Sequence, residues 1–365
     1  MPNPIPTGLV GFGFGGRIFH APFIHATPGL DLAAVMQRSS SSAADEYPAA
    51  HIFHSTEELL ADAAIRLVTV CTPNQSHFAV ARQCLLAGRH VVVDKPLTIT
   101  SDEAEELVAL AAERNLHVFT FQNRRWDGDF LTIRELLNSG ELGRLVLYEA
   151  RWDRFRPIPR AGTWKETDPG AGMLLDLGTH LADQVLALFG LPQSVTGEVT
   201  TDRDGSAIED GFHITFHYAK DGPHRGLRAR ITTSFVAAEP APRFALYGTH
   251  GSFVKYGLDA QESALIAGRR PPQSDSAAPW LAEPESAWGT LTTAADISQP
   301  ANLSERRVPT LPGDYRNFYA AVRDCILGLP NSAVTGADGL RVIRMLELAR
   351  ESSDTGRTLP IPQSW

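Results

Sequence analysis

Residues 7–16, TGLVGFGFGG, decide the fold. A short apolar run enters a cluster of four glycines, Gly11, Gly13, Gly15 and Gly16. The spacing Gly11-x-Gly13-x-x-Gly16 fits a dinucleotide fingerprint, although glycines also mark plain turns. The flanks separate these readings. A strand pattern precedes the glycines, and RIFHAPFI after them has helical potential. A second strand pattern, LDLAAVM, ends about 20 residues past the last glycine, the length of a βαβ unit. Glycine lets the backbone approach a pyrophosphate, and a helix N-terminus near Gly15 and Gly16 offers unbonded N–H groups to it. Gly11, Phe12, Gly13, Gly15 and Gly16 are therefore candidate cofactor-binding residues.

The end of the second strand reads Gln37-Arg38-Ser39-Ser40. An NAD-binding fold places a carboxylate there to hold the ribose hydroxyls, and this chain has none. A guanidinium and hydroxyls suit a 2′-phosphate instead. NADP is the expected cofactor, with NAD as the alternative, and Arg38 and Ser39 are its candidate ligands. The competing reading of Arg38 is a solvated side chain at a strand end.

Strand and helix patterns then alternate. STEELLAD and TSDEAEELVALAAER each open with a capping box, Ser55 with Glu58 and Thr100 with Glu103. Between and after them come the strands LVTVC (67–71), HVVVD (90–94) and HVFTF (117–121) and a helix closed by Gly88. Such alternation predicts a parallel, doubly wound sheet whose ligands sit at the carboxyl ends of its strands. Two of these ends stand out. One carries Thr72, Pro73, Asn74 and His77, the other Asp94-Lys95-Pro96. A lysine straight after a buried strand and fixed by the following proline is well placed to act on a substrate hydroxyl or carbonyl.

Farther on, GMLLDLGTHLADQVLALFG (172–190) reads as one helix with Leu174, Leu177, Leu181, Val185 and Leu188 in an apolar stripe. Asp176, His180 and Asp183 share another face. By itself this triple fits a solvated surface, a metal site, or a general base with an orienting acid.

Four motifs in order, GFGFGG, CTPNQSH, DKP and LDLGTH, resemble the glucose–fructose oxidoreductase/inositol dehydrogenase/rhizopine catabolism family (Gfo/Idh/MocA), which more often carries EKP than DKP. The segments FQNRRWDGDF (121–130) and GSFVKYGLDAQE (251–262) are similar to the branch holding NADP-dependent scyllo-inositol dehydrogenases. The resemblance implies a Rossmann domain, nicotinamide chemistry and no metal. It implies His180 as proton acceptor or donor, Asp176 as its assistant or a substrate contact, and Lys95 as anchor of the reacting oxygen. Asp94, Lys95 and Asn123 are further candidate cofactor contacts, and the several hydroxyls of a polyol call for donors and acceptors around the ring, for which Arg124, Trp152 and Arg154 join Lys95, Asp176 and His180 as candidates. Asp183 is outside the family pattern and drops to a secondary contact.

The second half opens with a helix, DGDFLTIRELLNSGELG, and the alternating strand LVLYEARWDRF, whose Tyr148, Ala150, Trp152 and Arg154 share a face. After residue 190 come the strand patterns SVTGEVTT, GFHITFHY, LRARITTSF, RFALYGT and GSFVKYG with no helix between them, which predicts a large, mostly antiparallel open sheet. Residues 257–312 are rich in Pro, Ala and Ser and read as an excursion loop with one further strand at most. Two helices, DYRNFYAAVRDCIL and ADGLRVIRMLELARESSDTG, close the chain. The expected organisation is an α/β Rossmann domain, 1–121, and an α+β domain, 122–365, whose last helix packs back toward the first. A homodimer or homotetramer through the open sheet is expected.

Composition bounds the remaining classes. At 365 residues, 43% hydrophobic and 21% charged, the chain can bury two cores. A net charge of −9 argues against nucleic acid or an anionic membrane as partner. No apolar run of about 18 residues is present, and the N-terminus lacks a signal pattern. The 3 cysteines, without CxxC spacing, are expected as free thiols in the cytoplasm. His213 and His217 share a strand face, but any residues four apart would, and no metal is expected there. The functional expectation is an NADP-preferring oxidoreductase acting on a secondary alcohol or ketone of a cyclic polyol or sugar, scyllo-inositol first. The alternatives are a dinucleotide sensor without turnover and a reductase of another oxo-sugar.

Overall fold

The computed structural model describes residues 3–168, 170–273, 280–299 and 301–365. Its contacts divide the chain into two compact units. The first comprises residues 1–126, 261–280 and 314–340, and the second 127–260, 281–313 and 341–365. The division differs from a single cut after residue 121, because two later segments are woven into the first unit.

In the first unit, β1 (Ile5–Val10), β2 (Leu30–Met36), β3 (His51–Phe53), β4 (Leu67–Val70), β5 (His90–Val93) and β6 (Val118–Thr120) form one sheet. Its order is β3-β2-β1-β4-β5-β6 and all its pairs are parallel. This is the doubly wound order with its switch point between β1 and β4. β4 is buried at every position, as a strand covered on both faces must be. The short β3 was missed in the sequence because HIF has neither the length nor the alternation of a strand. Both capping boxes are present, with Glu58 N–H donating to Ser55 Oγ and Glu103 N–H to Thr100 Oγ1, each worth about 1 kcal/mol.

The later segments add their own cover. The helix Arg316–Ile326 buries Phe318, Tyr319 and Val322 in this unit. Phe119 of β6 bridges to Thr335, and Thr120 N–H donates to Val334 O at 3.1 Å. Arg124 donates to Tyr315 Oη at 2.8 Å and pairs with Glu262, so its guanidinium ties three segments of the unit together.

In the second unit, β7 (Leu145–Arg151), β8 (Ser194–Thr200), β9 (Gly211–His217), β10 (Arg228–Ser234), β11 (Phe244–Gly248), β12 (Gly251–Lys255), β13 (Gly289–Ala294), β14 (Leu303–Val308) and β15 (Leu359–Pro360) form a second sheet. Its order is β14-β13-β12-β11-β7-β10-β9-β8-β15, antiparallel except for β7 with β10. One face is buried through Tyr148, Ala150, Phe212, Ile214, Phe216, Ala229, Ile231, Phe244, Leu246 and Phe253. The helices Gly128–Ser139 and Gly178–Phe189 belong to this unit, and the first ends on Gly140 in the left-handed region at φ 74°.

Two sequence expectations are corrected. The stretch 257–312 is no simple excursion: it contains the helix Ala260–Ile266 and two strands, β13 and β14. β14 is exposed at five of six positions, so it carries no apolar signal that alternation could reveal. The helix read over 172–190 is also two pieces, Met173–Asp176 and Gly178–Phe189, joined at Leu177 with φ −107°. Residues 274–279 of the proline-rich run lie outside the described residues.

Candidate functional site

The glycine loop follows β1 at the switch point. Gly11 N–H donates to Met36 O at 3.2 Å, which sets the loop beside the end of β2. Gly11 has φ 102°, and a Cβ there would fall onto Cys71 O. A Cβ on Gly16 would fall onto Gly11 O, so both glycines are required by the turn itself. Gly13 differs: nothing lies within 4 Å of where its Cβ would be. That open approach to bare backbone, beside the helical turns that begin at Phe14, is what a pyrophosphate needs. The cradle fits a dinucleotide, for which Gly11, Phe12, Gly13, Gly15 and Gly16 are the candidate holders.

At the end of β2, Arg38 and Ser39 are exposed and Gln37 is buried. Gln37 braces the turn: Nε2 donates to Ser40 Oγ at 2.8 Å and Ser42 Oγ at 3.1 Å, and Oε1 accepts from Ala43 N–H at 2.8 Å. A neutral amide thus fills the carboxylate position while a guanidinium stands outside it.

The ends of β4 and β5 are locked to each other. His77 is buried, with Nδ1 2.7 Å from Pro96 O and Nε2 2.9 Å from Thr72 O. Burial pulls its pKa below the ordinary value, against the pull of Asp94 and the two carbonyls. Its structural place is a brace between the loops that carry Thr72, Pro73 and Asn74 on one side and Lys95 on the other. The Lys95–Pro96 peptide is cis.

Asp94 sits at the centre of a cluster that sequence reasoning missed. Its Oδ1 accepts the Lys95 N–H at 2.8 Å, and its Oδ2 accepts Cys71 Sγ at 3.2 Å and lies 3.4 Å from His20 Nε2. Burial would raise this carboxyl, but His20, Lys95 and His77 outweigh it and hold it well below the usual carboxylate range. His20 is fully buried, ends a π-helical turn, Gly16–His20, and meets Tyr319 Oη at 2.7 Å through Nδ1. Single-turn π segments concentrate at functional sites. The sequence offered no signal here, because His20, Cys71, Asp94 and Tyr319 lie on four separate elements. Cys71, Cys84 and Cys325 are free thiols, as read from the sequence.

Asn123 and Arg124, also in the first unit, are both buried. Arg124 is engaged by Tyr315 and Glu262.

In the second unit, His180 occupies the first turn of the helix Gly178–Phe189 and is 5% exposed. Asp176 ends the preceding helical turn and is half-buried, whereas Asp183 is buried. His180 and Asp183 are thus not part of a solvated face. The His180 ring stacks on Trp152 with centroids 5.8 Å apart and planes at 26°. Arg243 lies 5.3 Å from the centre of the same indole and donates to Gln184 Oε1 at 3.2 Å. The stacking on Trp152 orients the imidazole plane. Arg154 follows Trp152 by two residues and lies 6.0 Å from the Phe235 ring. Among the described residues, His20, Cys71 and Asp94 are the one group of three donors close enough to share a metal ion; Asp176, His180 and Asp183 are not such a group. His213 and His217 each meet a threonine hydroxyl, Thr232 and Thr196.

Comparison with known proteins agrees with the fold. The model of the oxidoreductase family with an NAD-binding Rossmann fold matches residues 5–122, and that of the GFO/IDH/MocA C-terminal domain matches residues 130–254. The chain is 38% identical to the uncharacterized oxidoreductase YdgJ of Escherichia coli, covering 98% of this chain and 99% of that one. It is 36% identical to IolW of Bacillus subtilis, named scyllo-inositol 2-dehydrogenase (NADP(+)), covering 98% and 96%. Among solved structures, the yvaA oxidoreductase of Bacillus subtilis superposes with a TM-score of 0.91 at 34% identity over 99% of both chains.

Proposed function

The chain belongs to the GFO/IDH/MocA family of oxidoreductases, and on that premise we propose that it is an NADP-preferring dehydrogenase of a cyclic polyol or sugar, with scyllo-inositol as the first substrate to try. The observation that carries the reading is His180, a buried imidazole held flat by Trp152, one helical turn past Asp176. The name of the relative IolW supports the substrate, and the exposed Arg38 beside the neutral Gln37 supports NADP.

Bound on the glycine loop, the dinucleotide supplies the hydride acceptor for oxidation and the donor for reduction. The protein manages the oxygen. As the alcohol becomes a ketone, its hydroxyl proton passes to His180, and in reduction His180 returns it. Asp176 holds a neighbouring hydroxyl or assists that proton. Lys95, set by the Asp94 carboxylate that accepts its N–H, donates to the reacting oxygen and stabilises the charge that grows there. Assembly as a homodimer or homotetramer is part of the same proposal. The outward face of the second sheet carries Leu145, Leu147, Val254 and the exposed Tyr247, a surface that a second subunit would cover.

The test is turnover. Purified protein is mixed with NADP or NAD and a panel of inositols and sugars, and nicotinamide reduction is followed by absorbance. Turnover of at least one polyol, faster with NADP, is expected. Tight dinucleotide binding with no turnover in either direction on any polyol, sugar or oxo-sugar would make the protein a sensor instead.

A further inference from the structure

Past β7 the chain stays extended along the end of β10. Trp152 N–H donates to Thr232 O at 3.0 Å, Arg154 to Ser234 O at 2.9 Å and, after a slip of one residue, Arg156 to Phe235 O at 2.7 Å. Alternate side chains of an extended segment share a face, so Arg154 and Arg156 follow Trp152 on the face that meets His180. Phe155, between them, is 59% exposed on the other side. Successive positions on that face are about 7 Å apart. A row therefore leads away from the proposed acid–base histidine: indole, guanidinium, guanidinium.

Among the described residues, neither guanidinium of this row has an ion-pair partner. Arg154 and Arg156 lie 6.0 and 5.9 Å from the centre of the Phe235 ring, and Arg203 lies 4.6 Å from it. Arg203 is neutralised by Glu166 Oε2 at 2.7 Å and Asp210 Oδ2 at 2.8 Å. Among the described residues, no carboxylate lies within ion-pair distance of Arg154 or Arg156, although both are only half-exposed. Burial and the nearby Arg154 and Arg160 lower the Arg156 pKa, while Glu166 and Asp176 work in the opposite direction. Asp176 is therefore within electrostatic reach of this cluster. Covering one phenylalanine ring does not require three guanidiniums that repel each other, and a wholly neutral ring of hydroxyls would leave Arg154 and Arg156 without a direct ionic partner among the described residues. A planar guanidinium is best matched by a carboxylate or phosphate that accepts two parallel hydrogen bonds.

We propose that Arg154 and Arg156 form an oxyanion subsite, and that the preferred substrate is a polyol or sugar bearing a carboxylate or a phosphate. The subsite rests on the dehydrogenase reading, with His180 at the reacting carbon and the anionic group one or two positions along the row. Neutral polyols, scyllo-inositol included, are then the poorer substrates.

Matched triplets test this: a neutral sugar or polyol, its acid and its phosphate ester, each oxidised with NADP at fixed ionic strength. An anionic member of a triplet is expected to exceed its neutral parent in kcat/KM by about tenfold or more, the scale of one charge-assisted contact. Whichever arm gains, acid or ester, identifies the anion. In Arg154→Gln and Arg156→Gln the anionic-to-neutral ratio should fall toward one, and Arg156→Lys should restore part of it. A neutral parent equal to both anionic forms, or a ratio unchanged in both glutamine variants, overturns the proposal while leaving the dehydrogenase reading intact. If no compound turns over, the dehydrogenase reading fails, and calorimetric binding of the same triplets decides the subsite. Tighter binding of an anionic form that is lost in the glutamine variants upholds it, and equal binding of all three overturns it.

Discussion

A single exposed guanidinium, Arg38, carries the proposed preference for NADP. Arg38 stands at the end of β2 next to the start of the glycine loop, and the residue before it is an amide turned inward to brace the turn after β2. A 2′-phosphate would meet the guanidinium, and a free ribose has no carboxylate to hold it. Arg38→Ala should raise the Kd for NADP by about tenfold, the cost of one charge-assisted hydrogen bond, and shift that for NAD by less than about threefold. Equal losses for the two dinucleotides, measured by fluorescence titration, would remove Arg38 from the 2′-phosphate site. Arg38 was legible in the sequence because it sits at a fixed distance from the glycines. His20 was not, because its partners Asp94 and Tyr319 are brought to it by folding. For Arg124 the motif is visible in the sequence, but its pairing with Tyr315 and Glu262 is not.

At the scale of one element, the helix Gly128–Ser139 carries a titratable strain. Phe130 N–H in its first turn donates to Asp129 Oδ1 at 2.7 Å, and Gly128 N–H donates to Asp259 Oδ2 at 2.7 Å. Burial raises the Asp129 pKa from 3.8 to about 6, with Asp259 adding to the rise and Arg243 and Lys255 opposing it. A carboxyl whose folded pKa lies above its unfolded value holds a proton that the unfolded chain has released. Stability therefore falls as pH rises through the window from about 4 to 6, and the penalty is complete above it. Asp129→Asn lacks that term, so its Tm relative to the parent should climb by a few degrees between pH 4 and pH 7. Parallel melting curves across that range would contradict the assignment. Elements whose apolar period is strong, such as β4 and the two capped helices, could be read directly from the chain. β14 and the break at Leu177 could not, since a polar edge strand has no period and a local kink leaves the apolar stripe intact.

For the whole molecule, order along the chain and membership of a unit are different things. The motif order points to the residues of the proposed chemistry, yet residues 261–280 and 314–340 return to the first unit, where Tyr315 and Tyr319 are buried and Glu262 pairs with Arg124. No local pattern announces that return, because the segments that receive these side chains lie more than a hundred residues earlier. The central claim is the proposal that Lys95 and His180 each serve the reaction on a bound dinucleotide. It is tested most directly by making Lys95→Met and His180→Ala and measuring, on the same preparations, kcat with a turned-over polyol and Kd for NADP. The account predicts that each variant loses about a hundredfold or more in kcat, the scale of a general acid–base contribution, while its Kd for NADP stays within about threefold. Parental rates in both variants, or rate losses that track lost NADP binding, would contradict it.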